Sequence, residues 1–88
     1  MDPTEILIAD DHEIVRRGIR ALLESEPDLR IVGEAADGVQ TVEAVRRLQP
    51  DILVLDLMLP EKTGLEVLQH LAESNVATAV LCLPCTAT

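Results

Sequence analysis

Ile52-Leu53-Val54-Leu55-Asp56 is an unbroken apolar run that stops at an acid, and the chain has already set that pattern once, in Glu5-Ile6-Leu7-Ile8-Ala9-Asp10-Asp11. Short continuous apolar runs of β-branched and leucine residues are the pattern of strands buried on both faces, as in a parallel sheet. Between and beyond them the period changes from two to that of a helix. From Glu13 to Glu24, Val15, Ile19, Leu22 and Leu23 share one helical face, with Arg16, Arg17 and Arg20 turned away from it, and Pro27 closes the segment. Leu29 to Ala35 reads as a strand in which Leu29, Ile31 and Gly33 alternate against Arg30, Val32 and Glu34.

Asp37-Gly38 is a turn, after which Val39, Val42, Val45 and Leu48 predict a short amphipathic helix stopped by Pro50. A loop containing Pro60 leads to a helix from about Gly64 to Glu73, buried through Leu65, Leu68 and Leu71, and Ala77 to Leu83 is a fourth strand candidate. The order β-α-β-α-β-α-β calls for an α/β fold of three layers, a parallel sheet with helices on both faces. Ligands of such sheets bind at the carboxyl ends of the strands, where the strand order reverses. Asp10, Asp11 and Asp56 all fall at such ends.

At 88 residues the chain is one domain at most, and its 48% hydrophobic and 26% charged content is that of a globular protein rather than a disordered one. Sixteen acidic against seven basic residues give a net charge of −9, which argues against direct contact with nucleic acid or an anionic membrane and favours positive counterions. No segment has the roughly 20 apolar residues of a membrane span. The acidic start Met1-Asp2-Pro3-Thr4-Glu5 is unlike a signal peptide, so a cytoplasmic location is expected.

Taken alone, Asp10-Asp11 ahead of a helix reads more readily as an N-cap and first-turn dipole partner, and Asp56 as a solvated strand-end acid. Both sites on one switch-point edge turn the reading toward chemistry. Three carboxylates within a few ångströms are costly to keep ionised without a cation. Magnesium suits them, because it takes carboxylate oxygen, keeps waters and works with phosphate. A carboxylate is itself a nucleophile in phosphoryl transfer, and a metal beside it would neutralise and orient the transferring group. This reading needs residues 10, 11 and 56 around one divalent ion at a lip of the molecule, with Asp56 open to solvent.

These residues resemble a family. Ile8-Ala9-Asp10-Asp11-His12, then Val54-Leu55-Asp56-Leu57-Met58-Leu59-Pro60 with Gly64, are similar to the receiver domain of bacterial response regulators, a flavodoxin-like (CheY-like) fold. Val15-Arg16-Arg17-Gly18, Val32-Gly33-Glu34-Ala35-Ala36-Asp37-Gly38 and Pro50-Asp51-Ile52 add to the likeness, which runs from Ile6 to about Leu83. It is greatest to the NarL/LuxR-type subgroup, whose receivers precede a helix-turn-helix DNA-binding domain. The resemblance implies that Asp56 is the phosphoacceptor, charged by the phosphohistidine of a sensor histidine kinase. It also implies that Asp10, Asp11, Asp56 and the backbone carbonyl of Met58 hold Mg2+. Such a module in full-length relatives controls transcription and is no enzyme beyond its own phosphorylation and dephosphorylation.

The chain departs from the family toward its end. Four strand candidates stand where the family has five, so residues 1–88 are expected to be a single truncated receiver domain, without the fifth βα unit, its lysine, or an output domain. The family's Ser or Thr after the fourth strand falls on Pro84. The tail Leu83-Pro84-Cys85-Thr86-Ala87-Thr88 fits a frame shifted by one base near codon 84, with deliberate shortening as the rival. A shortened sheet leaves an unpaired edge and uncovered apolar surface, so self-association, a homodimer among its forms, is expected. The alternative function is accordingly a non-signalling fragment that binds metal or self-associates.

Other readings are weaker. An aspartyl-phosphate hydrolase would want a second acid at position 58, where Met58 stands, and no glycine-rich nucleotide loop appears. Cys82 and Cys85 have C-x-x-C spacing, but Cys82 lies in a strand candidate and is expected to be a buried strand residue. His12, beside the acids, reads as a partly exposed loop histidine more readily than as an influence on phosphorylation, and His70 reads as solvated. The Arg16, Arg17 and Arg20 face is either a kinase-docking surface or a plain solvated face.

Overall fold

The computed structural model describes residues 2–56, 64–74 and 77–83. Its elements follow the predicted order: β1 (Thr4–Ala9), α1 (Glu13–Glu24), β2 (Leu29–Ala35), α2 (Gly38–Leu48), β3 (Ile52–Asp56), α3 (Gly64–Glu73) and β4 (Ala79–Leu83). The strands form one parallel sheet in the order β2-β1-β3-β4. The chain therefore reverses its direction of travel between β1 and β3, the two central strands that carry the acids.

Strand parity sorts the core into two layers. Leu7, Ala9, Leu53 and Leu55 point to the side covered by α2 and α3, where they bury Ala35, Val42, Ala44, Val45, Val67 and Leu71 with them. Ile6, Ile8 and Val54 point to the other side and meet half-buried Ile19 and Leu23 of α1, with Leu29, Ile31 and Ile52 around them. At the amino-terminal ends of the strands the backbone is stitched across. Asp51 Oδ2 accepts from the Glu5 amide, and the Asp51 amide donates to the Glu5 carbonyl, both at 2.8 Å.

Helix faces differ from the sequence reading in particular places. α1 buries no residue fully. Ile19 and Leu23 face the sheet, whereas Leu22 is 74% exposed and Val15 is also open. A Cβ added at Gly18, on the same flank, would meet open space. Leu81 of β4, paired in register with Val54 and so on this same side, is 57% exposed. α1 covers the β1–β2 half of the sheet, and no described element covers the β3–β4 half. In α3 the buried positions are Gly64, Val67 and Leu71, with Leu65 exposed, and in α2 Thr41 and Ala44 are buried while Val39 is not. Thr41 enters the core because its hydroxyl donates to the Asp37 carbonyl at 2.7 Å, which removes the cost of burying it. Cys82 is exposed rather than buried, and the tail, Cys85 included, lies outside the described residues.

The strict alternation expected of β2 fails at one residue. Ile6 pairs with Ile31 but Leu7 pairs with Gly33, so Val32 is an inserted residue in a bulge. The insertion reverses the phase of all that follows. Gly33 turns toward the α2 side, where an added Cβ would meet Leu48 at 3.1 Å and Leu7 at 3.3 Å. Glu34 turns toward α1, and Ala35 joins the α2–α3 core. Bulges commonly re-aim a side chain in this way.

Candidate functional site

β1 and β3 lie side by side with Ala9 opposite Leu55, so the next residues of the two strands, Asp10 and Asp56, emerge together at the carboxyl edge of the sheet. One ligand atom from each of Asp10, Asp11, His12 and Asp56 lies within 4.8 Å of the others. The sequence-predicted trio is thus brought together, and His12, exposed as its loop reading expects, joins it. Met58 lies outside the described residues, so the carbonyl assigned to it has no place in this geometry.

Asp10 is buried and held through its amide, its carbonyl and one carboxylate oxygen. Its amide donates to the Ala35 carbonyl at 3.0 Å, and Oδ1 accepts from the His12 amide at 2.8 Å. Asp11 is exposed and caps nothing; the N-cap of α1 is His12, without a side-chain cap bond. The capping alternative therefore survives only in part, in the Asp10–His12 turn. Asp56 is more deeply set than expected, 6% exposed, yet its carboxylate lies among the acids at the edge rather than in the apolar core.

His12 Nδ1 stands 3.1 Å from Asp10 Oδ1 and 2.9 Å from Asp11 Oδ1. The hydrogen bond to Asp10, followed by the nearby charge of Asp11, raises the pKa of His12 above its ordinary value. An imidazolium there does part of what a cation would do among these acids. For the metal itself the donor set is three hard carboxylates, which fits Mg2+ better than a softer ion, and a protonated imidazole gives such an ion nothing.

The arginines of α1 are not a uniform surface. Arg17 is exposed and pairs with Glu13 one turn away at 3.1 Å. Arg20 pairs with Glu24 and, at 2.5 Å, with Glu34. Arg16 is turned inward, 17% exposed, with Nη1 2.5 Å from the Asp10 carbonyl and Nε 3.0 Å from Glu34 Oε1. The sequence reading missed this. A depression lined by Asp2, Glu5, Arg30 and Asp51 lies at the opposite ends of the strands and brings no comparable chemistry together.

A doubly wound α/β domain with a carboxylate cluster at the switch point between its central strands is the class that fold and site define. Within it, the chain belongs to the response regulator receiver domain family, whose profile matches residues 6–88, and it is a NarL-type receiver domain. It is 39% identical over 80 residues to the nitrate/nitrite response regulator protein NarL of Escherichia coli, covering 91% of this chain and 37% of that one. The signal receiver domain of the response regulator NarL from Mycobacterium tuberculosis superposes with a TM-score of 0.90 at 28% identity, covering 93% of this chain and 66% of that one. A LuxR-family two-component response regulator from Aurantimonas gives a TM-score of 0.85 at 38% identity, over 92% of this chain and 58% of that one. The chain thus spans little more than a third of the curated NarL sequence. Its four described strands fit the flavodoxin-like sheet without a fifth. Among the described residues no helix is long and apolar enough to cross a membrane.

Proposed function

We propose that this receiver domain is a phosphoacceptor of a two-component relay, working in the cytoplasm and forming one structural unit over residues 1–88. Asp56 takes the phosphoryl group and Asp10, Asp11 and Asp56 hold Mg2+, with the Met58 carbonyl as the further ligand. The observation that supports this most is the convergence of acids from two adjacent strands within 4.8 Å at the switch-point edge. A carboxylate oxygen of Asp56 forms the new O–P bond as the N–P bond of a sensor kinase's phosphohistidine breaks, and the released imidazole takes up a proton. A magnesium ion at these acids would supply charge neutralisation for the transferring phosphoryl group. Asp10, pinned through its backbone, keeps its carboxylate beside Asp56 while the charge there goes from about −1 on the carboxylate to about −1.5 to −2 on the acyl phosphate.

The chain contributes the phosphoacceptor step and no separate enzymatic activity, and control of transcription belongs to a larger protein of the NarL type. Acetyl phosphate with Mg2+ tests the reading: intact-mass spectrometry should show one added phosphoryl group, lost in Asp56→Asn. An unmodified chain, or an Asp56→Asn variant still modified to the same extent, overturns it.

We also propose that two copies associate through the β4 edge, making no direct contact with nucleic acid. The exposed Leu22 and Leu81 on one side of the sheet, beside a strand unpaired on one edge among the described strands, favour a second copy as the occupant.

A further inference from the structure

We infer that Arg16 is a positioning residue for the acidic site and that Glu34 is the counterion that keeps it so. The inference rests on the Mg2+ reading above, and begins with the peptide unit between Asp10 and Asp11. The Asp10 carbonyl and the Asp11 amide share one rigid plane. Arg16 grips that carbonyl at 2.5 Å, and the Asp10 amide on the other side is tied to Ala35 of β2 at 3.0 Å. Both peptide groups flanking the Asp10 Cα are thereby held, which fixes the direction in which its carboxylate leaves the backbone and the plane from which Asp11 starts.

The guanidinium is planar, so its second bond, Nε to Glu34 Oε1 at 3.0 Å, leaves it little freedom to pivot. Glu34 is available only because the Val32 bulge turns it toward α1. Its other carboxylate oxygen is held by Arg20 at 2.5 Å, and Arg20 is in turn paired with Glu24 at 3.1 Å.

Charge decides why such a residue needs Glu34. An uncompensated arginine beside a cation site would repel the cation and compete for its carboxylates. Here the positive charges of Arg16 and Arg20 are matched by Glu34 and Glu24. Arg16 therefore reaches the site through a backbone carbonyl while its charge is spent elsewhere. Removal of Glu34 frees Arg16 to swing onto Asp10 and Asp11 as a competing cation.

Calorimetric Mg2+ titration of the 88-residue chain tests this, with far-ultraviolet circular dichroism to check that each variant folds. Arg16→Ala and Glu34→Gln should each weaken Mg2+ about tenfold, the scale on which groups supporting metal ligands act. Arg17→Ala makes the same charge change on the same helix without the tie and should stay within about twofold of the parent. Arg16→Lys keeps the charge but lacks the planar fork, so it should weaken Mg2+ as well and serves if Arg16→Ala does not fold.

Phosphorylation by acetyl phosphate adds a readout that a merely structural role would not move. In Arg16→Lys the Mg2+ needed for half-maximal rate should rise about tenfold, with the rate at saturating Mg2+ changed less than about twofold. Should the parent bind Mg2+ and Arg16→Lys and Glu34→Gln match it within about twofold, the inference falls and the cation site stands. No saturable Mg2+ binding by the parent overturns both.

Discussion

The side of the sheet under α2 and α3 is closed by Leu7, Leu53, Leu55, Val45, Val67 and Leu71, all buried, whereas the side under α1 is half open and its helix is secured as much by charge as by apolar contact. The first is an apolar core whose worth scales with area removed from water. The second trades burial for directional bonds: Arg16 and Arg20 tie α1 to Glu34, and one of them reaches the acidic edge. Stability is concentrated on one side and positioning on the other.

Substitutions sharpen the contrast in descending order. Leu53→Ala on the closed side should cost about 2–5 kcal/mol, the range for deleting a fully buried leucine side chain. Urea unfolding followed by far-ultraviolet circular dichroism measures it, the chain having no aromatic residue to report otherwise. For a small domain that is a large share of the total, and a loss under about 1 kcal/mol would break the comparison. On the open side, Leu22→Lys should alter stability by no more than about 0.5 kcal/mol while shifting sedimentation from dimer toward monomer. An unchanged dimer would place the contact elsewhere.

The smallest effect belongs to His12. Its raised pKa means that the protonated ring stabilises the folded chain, an effect fully present below the ordinary value of 6.5 and lost as pH rises through the raised one. In metal-free buffer His12→Ala should therefore be less stable than the parent under acidic conditions and equal to it under alkaline ones. A gap that widens with pH would contradict the assignment.

The order of elements was legible because each switches period cleanly: Ile52 to Asp56 and Gly64 to Glu73 have the predicted bounds, and the acids lie where the strands end. What the sequence does not show depends on tertiary neighbours. Val15 and Leu22 lie on the apolar face of α1, yet which part of that face meets the sheet is decided by where α1 docks. Val67 is buried in place of Leu65 for the same reason in α3. Arg16 reads as solvated because nothing local reveals that the Asp10 carbonyl and Glu34 converge on it. The depth of Asp56 and the approach of His12 likewise arise from juxtaposition, with two acids already flanking the ring in sequence as the one available hint.

The extra residue in β2 has a consequence for how this chain tolerates change. Were the bulge straightened with Val32 kept in line, Val32 would stand opposite Leu7 and Glu34 opposite Ala9, carrying Glu34 beneath α2 among aliphatic groups while Ala35 left the layer it now helps to fill. Shortening by that one amino acid would instead leave Gly33, Glu34 and Ala35 beside Leu7, Ile8 and Ala9, so the spot tolerates loss of its surplus valine but not a slip that pulls the surplus into line and strands a carboxylate in oil.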